Sequence, residues 1–317
     1  MTYRQRLHLQ RLKHSTAPIL IGPWIGEVGF ETLYWLPFLT YLRQAYGLKK
    51  ERLIAVTRGG AGYWYDAAHS IELYDYVPIK DLRLALADAF QKTKSMKQMT
   101  VTPFEDALIP LLAQRLALRR YHVLHPSLLY TLFQPWWNAD MSLRTATHLL
   151  KFAPIPVPLP LPELELPEQY AVVKFYQRPT WPLQDDLRDW VQDVVTRISA
   201  KVPVVLLDTG LQGIDDHSDF PIPTGPRVLS LAGKVTPQNN LLVQSAVLAK
   251  AKAFIGTYGG TMQLAVRLGI PSAGFFKEFK DTAYPHKLLT EFLGTQFKTP
   301  VFIGRPADGQ FVQEILG

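Results

Sequence analysis

The segment Ala253–Phe276, AFIGTYGGTMQLAVRLGIPSAGFF, constrains the fold of this chain most. Ala253-Phe254-Ile255-Gly256 is an apolar run of strand length. Thr257-Tyr258-Gly259-Gly260-Thr261 then turns the chain. From Met262 to Leu268 apolar residues recur at helical spacing, and Gly269-Ile270-Pro271 stops that helix. Ser272 to Phe276 is a second apolar strand. The pattern is strand, glycine turn, helix, strand, with the glycines at the helix N-terminus. Backbone N–H groups there have no intrahelical acceptor, and the helix dipole favours an anion. A phosphate is the usual occupant.

Similar alternation runs along the rest of the chain. Strands are expected at Pro18–Gly22, Arg52–Thr57, Tyr74–Ile79, Tyr121–Leu124, Tyr170–Phe175, Val202–Asp208, Arg227–Leu231 and near Val301. Helices are expected at Phe30–Tyr46, Phe104–Leu118, Asp185–Ala200, Gln238–Ala251 and Ala283–Leu293. Strands alternating with helices imply βα units and parallel sheets. Phe152–Pro167, FAPIPVPLPLPELELP, holds six prolines and marks a stiff, extended boundary. The expected organisation is α/β, with two Rossmann-like, doubly wound domains facing each other across a cleft. Residues 1–152 form the first domain, 153–168 the Pro-rich linker and 169–317 the second. Ligands of such sheets lie beyond the carboxyl ends of the strands.

Composition narrows the function. The 317 residues are 47% hydrophobic, which excludes a largely disordered chain. There is no cysteine, so disulfides and thiolate metal sites are excluded and a cytoplasmic setting is favoured. No apolar run reaches the roughly 18 residues needed to span a bilayer. The net charge of +7 suits an anionic partner. No nucleic-acid-binding signature is present, and no nucleic acid is expected. The first residues, Met1–His14, read as a solvated basic leader. Arg4, Arg6, Arg11 and Lys13 with Leu7, Leu9 and Leu12 could alternatively rest on the inner face of a membrane.

Candidate chemistry begins where the first strand ends, in Gly22-Pro23-Trp24-Ile25-Gly26-Glu27-Val28-Gly29-Phe30-Glu31. Gly26 and Gly29 flank Glu27 and let another molecule approach closely. Glu27 stands at a strand's carboxyl end, where a general base belongs. It is also placed to serve only the helix dipole. Glu31, one turn later, reads as solvated. The turn is not GxGxxG, and no acidic residue ends the second strand, so a nicotinamide cofactor is disfavoured.

In the second half, Lys174 lies inside an apolar strand. An unpaired ammonium there is expensive, and a diphosphate would be a suitable partner. A strand-end lysine reaching water is the other reading. Arg178 could bind a phosphate through two bonds. Asp208 closes another strand and could accept a bond from a ribose or simply form a turn. Arg58 and Tyr63, in RGGAGYWY, suit a sugar or phosphorylated acceptor, or an ordinary packed loop. His125, His217 and His286 read as surface or capping residues, and Trp136-Trp137 as a packing pair. The eight histidines show no metal-binding spacing, and no metal is expected.

These motifs together resemble the GT-B glycosyltransferases, most closely the bacterial ADP-heptose:lipopolysaccharide heptosyltransferase (family 9-like) group. Gly26-Glu27-Val28 followed by Leu36-Pro37 matches the family's first turn and helix. Leu231-Ala232-Gly233-Lys234-Val235-Thr236, Gly256-Thr257-Tyr258-Gly259-Gly260, Met262-Gln263-Leu264-Ala265 and Leu268-Gly269-Ile270-Pro271 match its later motifs in order. Glu27 stands where the family has aspartate, Gln263 where it has histidine, and Thr257-Tyr258 where it has Asn-Asp. The donor sugar is therefore left open.

The resemblance implies a metal-independent, inverting transferase with no cofactor. It would move a sugar from a nucleotide-diphosphate donor to a glycan or lipid-linked acceptor. Glu27 would be the base. Lys174, Arg178, Gly259, Gly260 and Thr261 would bind the diphosphate. Asp208, Lys234, Tyr258 and Gln263 are further donor-site candidates. Gly26, Gly29, Arg58 and Tyr63 are acceptor-side candidates. A nucleotide-sugar epimerase and a non-catalytic nucleotide- or sugar-binding protein remain alternatives on the same fold.

Overall fold

The computed structural model describes residues 3–93, 97–156, 164–177, 181–211, 214, 217–280 and 283–312. The chain divides into two compact units, Met1–Pro156 and Val157–Gly317.

The first unit opens with helix α1 (Tyr3–His14) and strand β1 (Ile19–Ile21). Helix α2 (Val28–Phe30), a π-helical turn (Glu31–Trp35) and α3 (Leu36–Tyr46) follow in unbroken succession. Then come β2 (Leu53–Thr57), β3 (His69–Glu72), α4 (Ile79–Thr93), α5 (Pro103–Arg115), β4 (His122–Leu124), α6 (Ser127–Trp137) and α7 (Leu143–His148). The four strands lie parallel in the order β3-β2-β1-β4. β1 and β2 are buried along their whole length, which is why they read as continuous apolar runs.

The second unit runs β5 (Ala171–Lys174), α8 (Asp185–Lys201), β6 (Val204–Leu206), β7 (Val228–Ser230), α9 (Asn240–Leu248), β8 (Phe254–Thr257), α10 (Gly260–Arg267), β9 (Ser272–Phe275), α11 (Tyr284–Phe297) and β10 (Val301–Gly304). Its six parallel strands are ordered β10-β9-β8-β5-β6-β7. Counted from β5, this is the doubly wound order 3-2-1-4-5-6. The apolar face of α8, through Leu187, Val191, Val194 and Ile198, packs on Val173, Phe175 and Ile255 of the sheet. Trp181 and Trp190 close that core against Phe175.

Two expectations are corrected. The third strand lies at His69–Glu72, not Tyr74–Ile79. As an edge strand it buries only Ile71 fully, so its sequence carries little periodic signal. Glu72 accepts the Tyr74 N–H and starts a 3-10 turn there, and Ile79 already belongs to α4. The N-terminal segment is not a solvated leader. Leu9 and Leu12 are fully buried, α1 packs on α3, and the His8 ring bonds the Val123 carbonyl at 3.0 Å. Of the three leucines offered to a membrane, only Leu7 is exposed. Among the described residues no helix is long and apolar enough to cross a membrane.

Candidate functional site

In each unit the strand order reverses beside the first strand, at β1/β4 and at β5/β8. Chain connections diverge to opposite faces at such a point and leave a crevice at the carboxyl ends. At both switch points the strand ends and the turns that follow carry residues read from the sequence, joined by others that were not.

In the second unit, β8 ends at Thr257 and α10 begins at Gly260. Gln263 N–H closes the first turn on the Gly259 carbonyl at 3.0 Å, so the N–H groups of Gly260, Thr261 and Met262 lie ahead of the helical ladder. The N-cap residue, Gly259, offers no side-chain cap to this end. Gly259, Gly260 and Thr261 are partly exposed. Tyr176, just past β5, lays its hydroxyl on Gly259. A Cβ at that glycine would come within 1.9 Å of the oxygen. Thr257 ties the two strand ends together, accepting the Tyr176 N–H at 3.0 Å. Tyr258 and Gln263 are buried, and the Tyr258 ring lies tilted beside Phe279, with centroids 6.3 Å apart.

Lys174 is only 4% exposed. Its ammonium donates to the Leu207 carbonyl at 3.0 Å and to Gln244 Oε1 at 3.3 Å, with Asp219 at 3.6 Å. These partners stabilise the buried charge. Lys174 thus lies beneath the switch point and holds the ends of β5 and β6 to α9. Asp208 accepts the Ser230 hydroxyl at 2.7 Å and braces the ends of β6 and β7. Lys234 is exposed on the turn after β7. Arg178 lies outside the described residues.

In the first unit, Gly22 has φ +110°, and a Cβ there would meet the Val56 carbonyl oxygen at 2.5 Å, so only glycine fits. The following loop delivers Glu27 to the start of α2. Glu27 is half-buried and its side chain makes no capping bond. Gly26 and Gly29 are buried beside it.

Glu31, expected in solvent, is fully buried. It opens the π-helical turn, and residues from the end of β2 enclose it. Tyr65 donates to Oε1 at 2.5 Å, Thr57 to Oε1 at 3.2 Å and Arg58 to Oε2 at 3.3 Å. Burial pushes the Glu31 carboxyl up, against the lowering pull of Arg58, Tyr65 and Thr57. Arg58 is turned inward and also donates to the Gly26 carbonyl. Glu72 accepts the N–H groups of Gly59 and Gly60 at 3.1 and 2.7 Å, which pins the same loop from β3. Tyr63 is half-buried against Trp64.

Four further residues reach this edge, Lys97, Gln98, Glu105 and His125. Lys97 sits 4.7 Å over the Phe30 ring and 4.8 Å over Trp137. Burial draws its ammonium down, and the Glu27 carboxylate pulls it back up. His125, buried rather than on the surface, bonds Glu105 at 3.0 Å and accepts the Ser127 N–H at 3.1 Å on Nδ1. Its other nitrogen therefore carries the proton given to Glu105. Burial opposes ionisation of Glu105, but the bonds from His125, Thr102 and Gln98 prevail and its carboxyl lies below the ordinary value. Thr102-x-x-Glu105 is a capping box legible in the sequence. Nothing local marks Lys97 or Gln98. Trp136 packs as expected and donates to the Tyr34 hydroxyl at 3.2 Å.

No family model matches the chain, and no curated protein matches it in sequence. Among solved structures it is similar to a family 9 glycosyltransferase from Veillonella parvula DSM 2008. The identity is 13% over 95% of this chain and 89% of that one, with a TM-score of 0.49. It is similar to the E. coli heptosyltransferase WaaC with ADP, at 13% identity over 94% and 99% and a TM-score of 0.48. It is likewise similar to the E. coli ADP-heptose lipopolysaccharide heptosyltransferase II, at 14% identity over 94% and 97% and a TM-score of 0.48.

Proposed function

We propose that the protein is a glycosyltransferase that moves a sugar from a nucleotide-diphosphate donor to a glycan or lipid-linked acceptor. The observation that carries this reading is the start of α10 at the β5/β8 switch point, partly exposed and led by Gly259, which offers no side-chain cap. Such an end stabilises a departing diphosphate with N–H groups and the helix dipole, without calling on a metal ion. Gly259, Gly260 and Thr261 hold the diphosphate in this reading, and Lys174 supports it from beneath with a buried positive charge. Arg178, Asp208, Lys234, Tyr258 and Gln263 remain donor-side candidates. The motif order from Leu231 to Pro271, with its family resemblance, supports the same assignment.

Glu27 takes the proton of the acceptor hydroxyl. That oxygen forms a bond to the anomeric carbon as the bond to the diphosphate oxygen breaks, inverting the carbon. Gly26, Gly29, Arg58 and Tyr63 serve the acceptor side, with Arg58 acting through the loop it holds. A thermal-shift panel of nucleoside diphosphates and nucleotide sugars, without added metal, tests the donor site. A ligand bound only by the folded chain stabilises it by about 2.7 kcal/mol at a hundredfold its Kd. Stabilisation by one nucleoside family is expected. No shift with any of them sinks the donor assignment. Near-normal turnover in Glu27→Gln would remove Glu27 as the base.

A further inference from the structure

The loop from Gly22 to Glu27 is neither helix nor strand, yet its backbone groups are engaged one after another. Gly22 N–H donates to the Leu124 carbonyl at 3.0 Å, and Trp24 N–H to Val56 at 2.9 Å. Ile25 N–H donates to Gln98 Oε1 at 3.1 Å, and the Pro23 carbonyl accepts from Gln98 Nε2 at 2.8 Å. Gly26 accepts from Arg58, and Glu27 accepts the Glu31 N–H at 3.1 Å. The outer bonds follow from the sheet, the Arg58 loop and the helix. The two central ones depend on a single side chain from a distant part of the chain.

We infer that Gln98 is the positioning residue of this loop, with Glu105 and His125 holding its amide in place. The amide orientation follows from its partners. Ile25 N–H can only donate and the Pro23 carbonyl can only accept. The same Nε2 donates to Glu105 Oε1 at 2.6 Å. Reversing the amide would set like against like at all three contacts.

Glu105 is itself held. Its other oxygen accepts the Thr102 N–H at 2.8 Å at the start of α5. His125 donates to Oε1, and Ser127 N–H fixes the His125 ring at the start of α6. Two helix starts are thereby linked through Gln98 to the backbone immediately before Glu27. Gln98 is 4% exposed, so water competes little for these bonds. Gln98 touches no reacting group. Its effect on transfer rests on the reading of Glu27 as the base.

The test uses two variants of the full chain. Gln98→Met keeps the length and removes the hydrogen bonds. Gln98→Asn keeps an amide beside Glu105 but falls one methylene short of the loop. Hydrogen exchange by mass spectrometry compares peptides covering residues 22–30 with peptides from β5 and β8. In both variants the loop peptide is expected to exchange about tenfold faster, with β5 and β8 unchanged. Wild-type exchange in the loop of a folded variant overturns the inference, and Gln98→Asn decides if Gln98→Met does not fold. In the sugar-transfer assay Gln98→Asn should lower kcat about tenfold with KM for the nucleotide sugar unchanged. Equal kcat in the two chains, with faster loop exchange in the variant, removes Glu27 as the base and upholds the role of Gln98 in the loop. A wild-type chain that transfers no sugar, with faster loop exchange in the variants, sinks the glycosyltransferase reading and upholds the role of Gln98 in the loop.

Discussion

Among single residues, the charged ones furthest from water have the largest expected effects. Arg58→Met leaves Glu31 buried without its ion-pair partner and should cost about 3–5 kcal/mol in urea unfolding. Replacing both, with Glu31→Leu added, should recover much of that loss, because no charge is then stranded. Glu31 also predicts a pH dependence. Its folded carboxyl lies above the ordinary 4.5, so the folded state holds the proton more tightly than the unfolded one. Its stabilising share is full below about pH 4.5 and declines as pH rises through the folded value. The unfolding free energy of wild type relative to Glu31→Gln should therefore fall from pH 4 upward. A rising difference would contradict this. Gly259→Ala should displace the Tyr176 hydroxyl and cost about 1–3 kcal/mol. Adding Tyr176→Phe removes the nearest clashing atom and should return part of the loss in a double-mutant cycle.

The helices and strands were legible to different degrees. Strands buried on both faces, such as β2, β5 and β8, stand out because each begins with an apolar run, polar only at its last residue, Thr57, Lys174 or Thr257. The edge strand β3 lacked that signal. α1 was missed because its surface is strongly basic, while Leu9 and Leu12 make a stripe too narrow to read. Leu12→Ala should cost about 2–5 kcal/mol, as a buried leucine does and a leucine on a solvated leader does not. The start of α5 carries a readable capping box, and Thr102→Ala should cost about 1 kcal/mol by thermal unfolding. The π-helical turn from Glu31 to Trp35 left no mark that local periodicity could register.

Taking the chain as a whole, the second unit has its own core around Val173, Phe175, Trp181 and Ile255. A fragment from Val157 to Gly317 should therefore unfold cooperatively by circular dichroism. A gradual, non-cooperative melt would show that this core is insufficient. Which segments become buried parallel strands, and where a glycine turn meets a helix start, is encoded in neighbouring residues. Period, apolar run length and glycine placement are local properties. Whether a given charge is buried is not local. Glu31 and Lys174 acquire their surroundings from residues 26 to 70 positions away. Gln98 meets the Glu27 loop across 73 residues. Such contacts exist only once parallel strands have brought their carboxyl ends to one edge, so the assembled sheet, rather than any motif, selects the side chains that line each switch point.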